Sequence, residues 1–248
     1  MRLRTGGSGP FWAALDANWS DLGSASSSYA LATLGAHTWL SQDALLGVML
    51  QYDMAETRDG AARIEGTGWL IGPYFAAELA QGQIVMDGRL LYGQTDNEIS
   101  PLGTYVDSFE TERWLAILNI SGRVELARLT LLPGLGYAYT EDRQIAYVDA
   151  LSVPVPEQTI SLGELTARLE WEVPFGDGAT VFTGGIAGIW ANSSQTASQL
   201  EGGRGRLNLG LRHAGVNGFN VDLDGYIDGI GAANYQSRAV ALTVSYAF

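Results

Sequence analysis

The chain contains no cysteine and no lysine, so all fourteen of its basic residues are arginines. The lack of cysteine excludes a disulfide scaffold and thiolate metal sites. No cluster of histidines has metal-ligand spacing either, and we therefore expect no metal and no cofactor. The formal net charge of −13 leaves no basic footprint for phosphates, which excludes nucleic acid as a partner.

Long apolar runs are also missing. The longest uncharged stretch, Leu22–Gln42, is rich in serine and glycine, so it does not predict a transmembrane helix. The first ten residues contain Arg2, Arg4 and a Gly/Ser run but no apolar h-region. We therefore predict a flexible lead-in or linker remnant over residues 1–10, without a signal peptide, and a single β-domain over residues 11–248.

Short strand-like segments fill that domain, and no helical period with capping residues persists anywhere. Their length of roughly ten to fifteen residues suits a tilted strand that crosses a bilayer. We count twelve: Phe11–Ser20, Ser28–Trp39, Ala44–Glu56, Arg63–Leu79, Gln83–Thr95, Phe109–Ile120, Arg123–Tyr139, Thr159–Val173, Ala179–Ala191, Arg204–His213, Gly218–Asp228 and Tyr235–Phe248.

The connections between these segments alternate between short and mostly longer ones. The short set is Ser41–Asp43, Ala80–Gly82, Ser121–Gly122, Pro174–Gly178 and Ala214–Asn217. The longer set is Asp21–Ser27, Thr57–Ala62, Asp96–Ser108, Thr140–Gln158, Asn192–Gly203 and Gly229–Asn234. This alternation predicts that all tight turns lie at one end, as in transmembrane barrels with short periplasmic turns.

Each segment has one apolar and one polar face. In the eighth segment, for example, Glu164 and Arg168 oppose Leu165 and Leu169. Twelve strands enclose more room than side chains fill, so a wet interior should take the polar face and lipid the apolar one. We therefore predict an all-β fold, a twelve-stranded antiparallel up-and-down transmembrane β-barrel. Aromatic girdles are expected at both rims, from Trp171 and Tyr246 at the short-turn rim and from Trp19, Trp69, Tyr139 and Trp190 at the loop rim.

The charged residues of the polar faces are the candidate site. They could contact a plugging segment, set ion selectivity, or pair with one another across strands; arginine suits bidentate pairing with carboxylates. The predicted lumen-facing set is Asp87, Arg89, Arg113, Arg128, Glu164, Arg168, Glu170, Glu172, Arg206 and Arg212.

Several stretches, read in order, resemble the translocator (β-barrel) domain of type V autotransporters. The resemblance spans nearly the whole chain from Phe11, and it rests on the order of the stretches, the strand count and the terminal aromatic residue. The stretches are Leu34–Asp53, Gly68–Leu79, Asp87–Asn97, Phe109–Trp114, Leu223–Ala232 and the closing V-S-Y-A-F.

This resemblance implies a monomeric barrel in the lipid of a Gram-negative outer membrane, supporting surface export of an N-terminal passenger domain. In that family a helix leading into the barrel occupies the pore, and the barrel-assembly machinery recognises the last strand. Tyr246 and Phe248 would then belong to the assembly signal. In the ten residues before Phe11 we expect neither a passenger nor a helical linker.

Two other functions stay open on the sequence alone. A porin-like channel for small solutes would need an inward-folded loop, for which Thr140–Gln158 is the only candidate. A soluble β-rich binding domain would need to fold without detergent. An enzyme is not expected, because His37 and His213 have no nucleophile or orienting partner in their sequence context and are interpreted as plain rim residues. Glu141, Asp142, Asp149 and Glu157 in the longest loop could bind Ca²⁺ loosely, but we expect them to be solvated.

Overall fold

The computed structural model describes residues 10–176, 178–194, 201–215 and 218–246 of the chain. Its strands, numbered along the chain, are β1 Phe11–Leu22, β2 Ala25–Trp39, β3 Ala44–Asp59, β4 Ala62–Leu79, β5 Ile84–Ser100, β6 Asp107–Gly122, β7 Val124–Leu126, β8 Leu129–Gln144, β9 Tyr147–Val148, β10 Pro154–Val155, β11 Gln158–Phe175, β12 Thr180–Ser193, β13 Gly202–Ala214, β14 Phe219–Ile230 and β15 Tyr235–Tyr246. In the described part of the chain, no helix is long and apolar enough to cross a membrane.

The long strands form one closed sheet in which each strand pairs antiparallel with its neighbours. The order runs from β1 to β6, then through β8 and β11 to β15, and β15 pairs back with β1. At this closing seam Phe11 lies opposite Tyr246 and Leu22 opposite Tyr235. The predicted twelve-stranded antiparallel barrel is confirmed, with β9 and β10 forming a separate small hairpin.

The short strand β7 continues the line of β6 after a break at Arg123. Both segments pair with β8 in one register, since Ser121 lies opposite Gly134 and Val124 opposite Leu131. The ladder breaks beside Pro133, which has no N–H to donate. The turn predicted at Ser121–Gly122 is therefore wrong, and the chain turns at residues 127–128 instead.

The strands on the loop side extend further than the sequence predicts. Only two residues separate β1 from β2 and β3 from β4, so the loops predicted at Asp21–Ser27 and Thr57–Ala62 are tight turns. Gly23 and Gly60 make these turns possible because both adopt positive φ, 63° and 60°. The expectation that all tight turns lie at one end is therefore wrong.

The faces of the wall are assigned by contacts that skip strands. Trp12 on β1 bonds to Tyr74 on β4, and Arg113 on β6 bonds to Asp53 on β3; only side chains on the concave face can meet in this way. Exposure alternates accordingly along β3, where Gln51 and Asp53 are 2% and 3% exposed while Leu50 and Tyr52 are 43% and 50% exposed. The polar face thus lines the lumen, as predicted.

Candidate functional site in the barrel lumen

Ionic side chains of the lumen are gathered in four groups, of which the first is the outer network of Glu164, Arg204, Arg206 and Asp228. The Arg204 Nε atom lies 3.1 Å from Asp228 Oδ1, and its Nη2 atom donates to Glu164 on β11. Arg206 Nη2 donates to Asp228 Oδ2 over 2.6 Å. Asp228 is fully buried, so both of its carboxylate oxygens are satisfied by guanidinium groups rather than by water.

Two tyrosines complete the outer network. The Arg204 guanidinium lies 5.1 Å from the ring centre of Tyr235, and that of Arg206 lies 4.3 Å from the ring centre of Tyr226. These are cation–π distances. The arginines are therefore held from two sides, by carboxylates and by aromatic rings, and this fixes their position near the loop end of β13.

The second group is centred on Arg113 of β6. Its Nε and Nη2 atoms donate to both oxygens of Asp142 on β8, over 2.7 and 3.1 Å. Its Nη1 atom reaches Asp53 on β3 over 2.9 Å, and the Tyr29 hydroxyl donates to the same Asp53 oxygen over 3.0 Å. One guanidinium thus joins β6 to the adjacent strand β8 and to β3, which lies three positions away in the sheet order.

The third group runs across the wall from β5 to β11. Asn119 Nδ2 donates to Asp87 over 2.7 Å, while its Oδ1 atom accepts from Arg168 over 3.0 Å. Arg168 also lies 3.8 Å from Glu170. Arg89 interacts electrostatically with Asp87 and with Asp16 on β1, which extends this group toward the closing seam.

The fourth group lies toward the short-turn end. Arg212 on β13 pairs with Asp222 on β14 over 3.1 Å and with Glu172 on β11 over 3.3 Å. Arg123, at the break between β6 and β7, lies 3.9 Å from Glu172 on the other side. Glu172 therefore lies between two guanidinium groups, and ion pairs continue almost to the short-turn rim.

Nine of the ten predicted lumen residues face the lumen, and Arg128 does not. Arg128 lies in the turn at residues 127–128 and is exposed, so its prediction as a lumen-facing charge is wrong. The physical reason is that the chain pairs with β8 again beyond the break at Pro133, so that the turn falls at residues 127–128. Pore or plug contact by the other nine stays a prediction.

Sequence reasoning left several other ionic residues of the lumen out of the candidate set. They lie on the lumen face of their strands, so the period-two pattern could have found them once the strand ends were known. They include Asp16, Asp53, Asp107, Arg123, Asp142, Arg204, Asp222, Asp224 and Asp228.

An aromatic cluster occupies the lumen face of β1 to β4. Trp12 Nε1 donates to the Tyr74 hydroxyl over 2.7 Å, and His37 Nδ1 lies 2.9 Å from the same oxygen. His37, interpreted from the sequence as a plain rim residue, lies two residues before the end of β2 and belongs to this cluster. Around Trp12 and Tyr74 pack the buried apolar side chains of Ala14, Leu45, Met49, Leu70, Ala76 and Leu91.

The loop of residues 145–157 is held at the loop rim by two lumen-facing residues of β6. The Asp107 carboxylate accepts from Ala150 N over 2.5 Å, and the Tyr147 ring stacks on Phe109 with ring centres 5.6 Å apart. Burial against this site raises the pKa of Tyr147. This loop is therefore anchored at the mouth of the barrel. It belongs to the segment Thr140–Gln158, which the sequence suggested as the candidate for an inward-folded loop.

The described residues contain no candidate metal site. No set of three or more His, Asp or Glu side chains there is placed to hold a metal. His213 Nδ1 lies 2.9 Å from the Thr180 hydroxyl at the exposed short-turn end. Among the acidic loop residues, Glu157 pairs with Arg143, and this hydrogen bond lowers the pKa of its carboxyl group.

Comparisons with known proteins agree on one family. The family model of the autotransporter beta-domain matches residues 11–153. The translocator domain of NalP from Neisseria meningitidis is 16% identical with a TM-score of 0.80, covering 96% of this chain and 88% of its own. The transport unit of AIDA-I from Escherichia coli is 13% identical with a TM-score of 0.81, and the match covers 100% of this chain and 93% of the AIDA-I chain. The beta domain of BrkA from Bordetella is 17% identical with a TM-score of 0.75, and the match covers 97% of this chain and 100% of the BrkA chain. Among curated proteins, no sequence match is found.

Proposed function

Because this chain belongs to the autotransporter beta-domain family, we propose that its four ionic groups line the path of an exported passenger segment through the lumen. The chain is a translocator barrel of the Gram-negative outer membrane and serves type V protein secretion. The family implies a passenger domain as its cargo. What we add is the role of particular lumen residues in that export.

The observation that carries this proposal is the pairing of the lumen arginines. Arg113, Arg204 and Arg212 each contact two carboxylates, and no arginine of the four groups is without an acidic or amide partner. Because these charges are engaged with one another, the wall holds a passing chain less tightly than unpaired charges would. Such a lining is better suited to letting a polypeptide pass through the lumen than to binding it there.

The test is crosslinking to a passenger stalled during export. A signal sequence and a passenger with a disulfide-closed loop are fused before residue 11, and a photoreactive residue replaces Arg206 or its lipid-facing neighbour Leu207. We expect crosslinks to the stalled passenger from position 206 and not from position 207, because only the former faces the lumen. Equal crosslinking from both positions, or crosslinking from 207 alone, contradicts the proposal.

We also propose that the end of the chain is an assembly signal read by the barrel-assembly machinery. The backbone of β15 pairs with both β1 and β14, so this strand must be placed before the barrel can close. Tyr246 is the last described residue of this strand, and Phe248 lies outside the described residues. We further propose that the apolar face of the barrel contacts lipid and that the chain is a monomer. The proposed domain spans residues 11–248 and follows a lead-in over residues 1–10.

Deleting Phe248 should slow insertion by purified assembly machinery in vesicles while spontaneous refolding in detergent keeps its rate. The difference arises because only the machinery reads the terminal aromatic residue. The matched control is Phe175→Ala, which removes a 77% exposed aromatic side chain at the same end of the barrel and should slow neither process. Equal slowing of both processes by the deletion would mean that Phe248 contributes to folding rather than to recognition.

We propose no enzymatic activity for the chain. The family is a transport barrel, and neither histidine of the described structure has the nucleophile and orienting carboxylate that a hydrolytic triad requires. The His37 imidazole is engaged with a tyrosine, and the His213 imidazole with an exposed threonine.

A further inference from the structure

Glycines on the lumen face lie directly beneath the ionic side chains that reach across strands. The clearest case is Gly136 on β8, between Asn119 on β6 and Arg168 on β11. A Cβ atom at Gly136 would lie 2.5 Å from Asn119 Oδ1 and 3.1 Å from Arg168 Nη1. Gly134, two residues earlier on the same face, would place a Cβ atom 3.1 Å from Arg168 Nε. The guanidinium of Arg168 therefore lies in a furrow formed by two missing side chains.

The same arrangement recurs beneath the Arg113 group. Gly68 on β4 lies between Asp53 on β3 and Thr95 on β5, and a Cβ atom there would lie 2.6 Å from Asp53 Oδ1. Gly93 lies opposite Arg113 on the neighbouring strand. Arg113 can thus reach Asp53 by passing over two glycines rather than over side chains.

A third furrow lies on β12 and β13. A Cβ atom at Gly185 would lie 2.5 Å from Glu170 Cγ and 2.7 Å from Asn208 Oδ1, which belong to the strands on either side. At Gly136, Gly68 and Gly185 the nearest atoms that a Cβ would meet belong to polar side chains lying along the wall, whereas at Gly93 and Gly134 the nearest atom is a backbone oxygen, of Trp69 and Ile120. Extended arginine and glutamate side chains take up little of the lumen when they lie flat in this way.

We propose that these lumen glycines set the free cross-section of the export path, by letting Arg113, Arg168 and Glu170 lie flat against the wall. They are positioning residues for translocation and act through the side chains above them. A methyl group at Gly136 meets the mobile ends of Asn119 and Arg168, so those ends move into the lumen while the backbone stays in place. The size of polypeptide that passes is then limited by how far these side chains project.

Glycines in strands also allow the barrel wall to curve, and this role does not require a side chain lying over the glycine. The two accounts differ in what Arg168 does. If Gly136 serves curvature alone, replacing it affects folding but leaves the width of the folded pore unchanged, whether or not Arg168 is present. If it holds a furrow, the width depends on Gly136 and Arg168 together.

The experiment is single-channel conductance of the full chain in planar bilayers, with Gly136→Ala, Arg168→Ala and the double variant. Recording in about 1 M KCl shortens the Debye length to about 3 Å, so conductance reports width rather than charge. We expect Gly136→Ala to lower the conductance and the largest polyethylene glycol that enters, and Arg168→Ala alone to change both little. The double variant should restore part of both, because a Cβ atom at position 136 still meets Asn119 Oδ1. The control is Gly225→Ala on the lipid face, where the nearest atom to a Cβ is 3.4 Å away and no change is expected.

The proposal is wrong if the unsubstituted chain does not conduct, if Gly136→Ala pores conduct normally, or if removing Arg168 restores no part of the conductance lost in the variant. Folding of each variant is checked by the shift in gel mobility between heated and unheated samples, so that only closed barrels are compared. The inference rests on the passage of the passenger through the lumen, which the crosslinking experiment tests separately. The conductance prediction can fail while crosslinking at position 206 succeeds, and crosslinking can fail while the conductance prediction holds.

Discussion

Replacing Arg204 by alanine is expected to lower the free energy of unfolding by about 3–5 kcal/mol, the usual cost of removing one partner from a buried ion pair. Arg204 contacts Glu164 and Asp228, and the Asp228 carboxylate is fully buried. Without Arg204, Asp228 keeps Arg206 and the backbone N–H of Gly229 but loses its contact with the more deeply buried guanidinium. The measurement is unfolding by guanidinium chloride in lipid vesicles, followed by tryptophan fluorescence.

The matched control for Arg204 is Arg143→Ala. Arg143 also contacts two carboxylates, Glu112 and Glu157, but these pairs are exposed outside the lumen. Exposed pairs contribute about 0–1 kcal/mol each, so this variant should remain close to the unsubstituted chain. The double variant Arg204→Ala with Asp228→Asn should recover part of the loss, because it removes the buried negative charge. Equal effects of Arg204→Ala and Arg143→Ala would contradict the assignment of a buried network.

The sequence predicts the wall of this barrel well because the period-two pattern is a local property. Glu164, Arg168 and Glu172 share a face whatever their partners are, and the structure places all three in the lumen. The strand count and antiparallel order follow from the spacing of turn residues. Which charges pair could not be predicted, because Arg113 and Asp53 are brought together by a register across intervening strands.

The wrong predictions also have local causes. Ser121–Gly122 looks like a turn, yet pairing resumes after Pro133 and carries Arg128 out of the wall to the true turn. Polar residues beyond Leu22 look like a loop, yet Gly23 at positive φ lets the ladder continue to a two-residue turn. Polarity marks the edge of the lipid-facing belt, and in this barrel the strands continue past that edge.

Replacing Tyr74 by alanine is expected to cost about 3–5 kcal/mol, the range for truncating a buried aromatic side chain. Tyr74 is 1% exposed and packs edge-on against Trp12, with ring centres 5.9 Å apart and planes at 80°. Its hydroxyl is the shared partner of Trp12 Nε1 and His37 Nδ1. Glycine again provides the space, because a Cβ atom at Gly47 would lie 2.5 Å from Tyr74 Cζ.

Three variants separate the contributions of the Tyr74 ring and its hydroxyl. Tyr74→Phe keeps the ring and should cost about 1–3 kcal/mol, since the buried Trp12 N–H loses its acceptor. Tyr52→Ala on the neighbouring strand removes a tyrosine that is 50% exposed on the lipid face, so it should cost less than Tyr74→Ala. Gly47→Val should cost at least as much as Tyr74→Ala, because its Cβ atom would lie 2.5 Å from both the Tyr74 ring and the backbone oxygen of Ala36. The same vesicle unfolding measurement applies to all of them. If Tyr52→Ala were as costly as Tyr74→Ala, the lumen cluster would not be what stabilises β1 to β4, and the apolar belt toward lipid would carry that role.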